Sequence, residues 1–107
     1  MISDFTRKTT VTFDGTVTVD GVATALSVLD VVTLIVKTNY DDTDAEAIIT
    51  KVATHLEATG GVRFSLTVAD TTVDAGDFHS QIKWVHNETD VYILETTRIT
   101  ISKRIFD

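Results

Sequence analysis

The stretch Val62-Arg63-Phe64-Ser65-Leu66-Thr67-Val68-Ala69-Asp70-Thr71-Thr72-Val73-Asp74-Ala75-Gly76-Asp77-Phe78-His79-Ser80-Gln81-Ile82-Lys83-Trp84 decides the fold class. Val62, Phe64, Leu66 and Val68 alternate with Arg63, Ser65 and Thr67. That period of two is the signature of a half-buried strand, because successive side chains of a strand point to opposite faces. Phe78, Ser80, Ile82 and Trp84 repeat the pattern on a second strand. Between them lies an acidic, Gly-containing corner, and nothing in the stretch pairs a nucleophile with a base.

The alternation continues outward. Thr9 to Phe13 predicts a strand punctuated by Asp14-Gly15, and Thr16 to Val19 a second one. Asp20-Gly21 is a hairpin-turn signal. Val22 to Leu29 is apolar but irregular. Val31 to Lys37 predicts a central strand with Val32, Leu34 and Val36 on one face. Asn87-Glu88-Thr89-Asp90 predicts a hairpin loop, followed by Val91 to Thr96 and then Arg98 to Ser102 with Ile99 and Ile101 inward. Thr, Val and Ile together supply 43 of the 107 residues. Such β-branched side chains pack well on a pleated surface and serve long helices poorly. Seven or eight short strands with regularly spaced turns predict an all-β sandwich in a single domain, residues 1–107.

Residues 45–57 leave two alternatives open. Ile48, Ile49, Val52 and Leu56 have helical spacing. Thr43 and Glu46 could form a capping box, and Gly60-Gly61 could end a helix. The composition Ile-Ile-Thr-Lys-Val argues for strand instead.

The net charge of −7 opposes contact with phosphate backbones and anionic lipid, so neither a nucleic-acid nor a membrane partner is expected. The absence of Cys excludes disulfides and thiolate metal sites. The N-terminus lacks the pattern of a secretory signal, and no apolar run approaches the length of a membrane span. There is no Gly-x-Ser-x-Gly elbow and no P-loop. No enzyme activity, cofactor or metal is therefore expected. Asp42, Asp44 and Glu46 open like a calcium loop, but Ala47 replaces the turn Gly and Ala53 the bidentate Glu. With Asp41 they read more simply as an acidic solvated loop. Asp70, Asp74 and Asp77 are explained by turn chemistry. His79 and His86 fall on opposite faces of one strand and do not converge as ligands; His55 stands apart.

Asp74, Gly76 and Phe78 form an Asp-x-Gly-x-aromatic corner at a strand start, similar to the one that turns the chain between sheets in immunoglobulin-like domains. The usual Tyr is Phe here, so its hydroxyl tie to the backbone is absent. A wider order of motifs resembles the small immunoglobulin-like proteins of phage tails and the baseplate upper-protein domains. It comprises Leu34-Ile35-Val36-Lys37, then the Asp-rich run Asp42-Thr43-Asp44-Ala45-Glu46 before Ile48-Ile49-Thr50-Lys51. Gly61, Leu66-Thr67-Val68-Ala69-Asp70-Thr71, Gly76-Asp77-Phe78, Leu94-Glu95-Thr96 and Ile99-Thr100-Ile101 follow. The resemblance covers most of the chain, weakly before Val31, and makes 47–52 a strand. It implies an immunoglobulin-like antiparallel β-sandwich of about seven strands and a non-enzymatic structural part of a phage or prophage particle, in the tail or baseplate. It further implies virion proteins and copies of itself as partners, and localisation in the virion after synthesis in the host cytoplasm. A glycan- or receptor-binding module at the tail tip, and a capsid decoration or head-to-tail connector protein, are the alternatives.

The candidate interface residues are Trp84, Tyr92, Ile105 and Phe106. Trp84 shares parity with Phe78 and Ile82, which predicts core packing; on an exposed face it would become a binding anchor or stack on a sugar. Ile105 and Phe106 follow Lys103-Arg104, a basic-then-apolar tail suited to strand addition on a neighbour.

Overall fold

The computed structural model describes residues 1–56 and 59–104, with the backbone alone for His55 and Leu56. It is predominantly β. Among the described residues ten strands form in chain order: β1 (Phe5–Thr6), β2 (Val11–Thr16), β3 (Thr18–Val19), β4 (Val22–Ala23), β5 (Val31–Lys37), β6 (Ile49–Val52), β7 (Thr54–Leu56), β8 (Gly61–Leu66), β9 (Gly76–His86) and β10 (Asp90–Ser102). They make a five-stranded sheet of order β1-β10-β9-β5-β6, a three-stranded sheet β2-β8-β7 and the two-stranded ribbon β3-β4.

One hydrophobic cluster joins the two larger sheets. Val32, Leu34, Val36, Ile82, Ile99 and Ile101 enter it from the first, and Phe13, Val62, Phe64 and Leu66 from the second. The Phe5 and Phe13 rings meet edge-on at 6.0 Å across the layers. The alternation in β5, β8 and β9 therefore sorts side chains as the sequence predicts. Val68 lies beyond the end of β8 and is exposed.

Residues 45–57 are not a helix as far as they are described; residue 57 lies outside the described residues. Ile49–Val52 pairs antiparallel with β5, and Thr54–Leu56 pairs with β8. Ala53 is the corner between sheets, its N–H donating to Val32 O at 2.8 Å. The helical stripe loses because both halves find a strand edge to complete, which a lone short helix cannot match. Thr43 and Glu46 do bond to one another, Thr43 N and Oγ1 both donating to Glu46 Oε1. They open only a single 3₁₀ turn, Asp44–Glu46.

Three further expectations are corrected. The large sheet is mixed rather than antiparallel, because β1 runs parallel to β10 with Phe5 opposite Ile101. That register is set by Phe5, buried in the common core. Asp14-Gly15 does not end a strand: β2 runs through it to Thr16, and Asp14 faces Arg63 across the pair with an ion pair of 2.7 Å. The last two predicted strands are one, interrupted by a bulge between Ile93 and Glu95. The extra residue reverses parity. Tyr92 opposite Trp84 faces inward before the bulge, and Ile99 opposite Phe78 faces inward after it. The Asp20-Gly21 turn joins β3 to β4 with both residues at positive φ, as a two-residue hairpin requires.

Candidate functional site

The candidate surface lies at the β9–β10 hairpin end of the five-stranded sheet, and its two faces differ. On the outer face, Val31, Val85 and Val91 form one row across β5, β9 and β10, with Ile93 in the next row beyond Lys83. Val31 is 40 % exposed, Val91 58 % and Ile93 52 %. The middle of this face is covered. The Tyr40 ring lies edge-on to His79 at 6.1 Å, and Asp44 binds both Lys37 Nζ at 2.9 Å and Lys83 Nζ at 3.2 Å. This cover buries Ile35 and Lys37 but stops short of the valine row. Hydrogen bonds from Lys37, then Lys83, hold the Asp44 carboxyl below its ordinary range.

The inner face is organised by Asp30, a lone acid in the apolar run from Val28 to Val36. Its side chain is buried. Oδ1 accepts from His86 Nδ1 at 2.6 Å, Asn87 N–H at 3.2 Å and Trp84 Nε1 at 3.3 Å, and Oδ2 accepts from Ser27 N–H at 2.7 Å. Burial alone would raise its pKa. The bonds from Ser27, His86, Asn87 and Trp84 outweigh burial and draw the carboxyl down to about 2. An ionised carboxylate only accepts, so His86 must carry a proton on Nδ1, and Nε2 is the ring nitrogen left to meet a ligand.

Trp84 is 3 % exposed, as its parity predicts. Tyr92 covers it with ring centroids 5.1 Å apart, and His86 lies 5.1 Å from it on another side. Tyr92 remains 47 % exposed. Between this aromatic group and the β3–β4 ribbon runs a groove of about 560 Å³, lined in part by Thr18, Thr24, Trp84, His86 and Tyr92.

Of the other candidate residues, Ile105 and Phe106 lie outside the described residues, as does the His55 side chain. At the corner, Gly76 takes positive φ and Phe78 is buried, while Asp74 is exposed. The local acceptor there is Asp70, whose Oδ2 takes Thr67 N–H at 2.8 Å and Lys51 Nζ at 3.0 Å. Thr71 supports it: its buried hydroxyl donates to Thr9 O at 2.6 Å. Among the described residues no three His, Asp or Glu side chains converge as metal ligands, and no helix is long and apolar enough to cross a membrane. Asp30 was the site residue that motif reasoning missed; the available signal was a single acid inside an apolar run.

The sequence matches no protein-family model, and no curated protein is significantly similar to it.

Proposed function

We propose that this chain is an immunoglobulin-like β-sandwich serving as a non-enzymatic structural component of a phage or prophage particle, in the tail or baseplate. It is made in the host cytoplasm and resides in the virion. It acts through interfaces with other virion proteins and with copies of itself.

The observation that carries this proposal is the aliphatic patch at the hairpin end of the outer sheet face, where Val31, Val91 and Ile93 are exposed around half-buried Val85. A net charge of −7 disfavours nucleic acid and anionic lipid, so an uncovered apolar patch favours docking to protein. Small contacts of this sort gain strength when ring symmetry repeats them. The ordered motifs from Leu34 to Ile101 support the placement in a tail or baseplate, and the Gly76–Phe78 corner with its shared two-sheet core supports the immunoglobulin-like fold.

Quantitative mass spectrometry of purified particles tests it. A fixed stoichiometry with tail proteins is expected. Absence from particles despite abundance in the lysate would sink the proposal. Recovery on emptied capsids but not on tails would replace it with a decoration or connector role.

A further inference from the structure

We infer that the groove between the β3–β4 ribbon and the β9–β10 hairpin is a binding site for a neutral saccharide ring, stacked on Tyr92 and hydrogen-bonded by His86. The inference is independent of the placement in a virion.

A sugar ring has an apolar face of C–H groups and a rim of hydroxyls, so it needs an aromatic platform beside polar groups of fixed orientation. Trp84 is too deeply buried to be that platform. It serves instead as the floor beneath Tyr92: the rings are tilted by 33° at 5.1 Å, which spends one side of Tyr92 on Trp84 and leaves nearly half of the residue open. The Trp84 indole N–H is held by Asp30, so this floor is fixed in place.

Polar recognition follows from the same carboxylate. Asp30 fixes the His86 ring through Nδ1 at 2.6 Å, and the side chain of His86 is 42 % exposed where it lines the groove. Nε2 is then held in a fixed direction to hydrogen-bond a sugar hydroxyl, which can donate or accept. The hydroxyl of Thr24 donates to Val22 O at 3.3 Å and keeps its lone pairs, so it can accept as well. Thr18 adds a hydroxyl that can donate or accept. The volume of about 560 Å³ lies within the ordinary range for small-ligand sites.

Charge selects the class of sugar. Among the described residues, none that lines the groove is an acid, a lysine or an arginine. Asp30 behind it is ionised and the chain carries −7 overall. This field disfavours uronic and sialic acids and admits neutral hexoses and N-acetylhexosamines.

The test is a titration of the isotope-labelled full chain with methyl glycosides of neutral hexoses and of N-acetylglucosamine, followed by NMR, with methyl glucuronide as the acidic control. Saturable shifts at the Trp84 indole, His86 and Tyr92 are expected from at least one neutral glycoside, and none from the glucuronide. Tyr92→Ala should weaken binding about tenfold or more, while Tyr92→Phe keeps it within a few-fold, since stacking needs the ring and not the hydroxyl. The dispersion of the core resonances shows that each variant is folded. No saturable response to any neutral glycoside, a response that survives Tyr92→Ala, or a preference for the acidic sugar would each overturn the inference.

Discussion

Replacing Asp30 with Asn tests the organisation of the whole hairpin end. Asp30 accepts four hydrogen bonds, three of them on Oδ1. Asn can keep one oxygen but sets an NH2 group against donors where the second oxygen was. The size of the loss comes from the titration of Asp30. The group ionises near 2 in the fold and near 3.8 as an ordinary Asp. At ~1.4 kcal/mol per pH unit, the ionised side chain contributes about 2.5 kcal/mol. Because the folded pKa is the lower one, this contribution is complete above about pH 4 and disappears as the pH falls towards 2. Urea unfolding followed by the fluorescence of Trp84, the single tryptophan, gives the stability of both proteins at each pH. Asp30→Asn should be less stable by about 2–3 kcal/mol at pH 7, and the gap should narrow as the pH approaches 2. A gap under about 0.5 kcal/mol at pH 7, or one that does not change with pH, would refute the role given to Asp30.

Two glycines should respond differently to alanine. Gly60 has φ +74°, and a Cβ there would lie 2.5 Å from Thr24 O, so Gly60→Ala should cost about 2 kcal/mol or more. Gly21 has φ +80° but open space around it, so Gly21→Ala should cost only about 1 kcal/mol; thermal melts compare the two. Asp44→Asn leaves buried Lys37 without its 2.9 Å partner, and since Asp44 is half exposed the loss should be about 1–2 kcal/mol by urea titration at pH 7. Its carboxyl is also held low by Lys37 and Lys83, so this loss should shrink as the pH falls below the ordinary Asp value of 3.8. Val91→Lys with Ile93→Lys should change stability by no more than about 0.5 kcal/mol per site, yet abolish incorporation into particles; incorporation at the normal copy number would clear the outer face of a docking role.

The sequence alone determined the local properties: which residues alternate, which face of a strand is apolar, and where a hairpin turns. Val31 to Lys37, Phe78 to Trp84 and Asp20-Gly21 were legible because period and turn chemistry belong to a few consecutive residues. Trp84 was legible as core for the same reason. Tertiary structure decided what depends on a distant partner. Ile49–Val52 became a strand because β5 offered it an edge. β2 ran through Asp14-Gly15 because β8 stood opposite to pair with it, Gly15 against Val62 and Thr16 against Gly61. β1 lay parallel to β10 because Phe5 found the core there. Asp30 and His86 are 56 residues apart, and neither carries a local motif. Their pairing, and the fixed ring orientation that follows from it, exists only where β5 and β9 bring the two residues to the same end of the sheet. Local sequence encodes the faces of the strands; which faces and edges meet is set by the burial of side chains far apart in the chain.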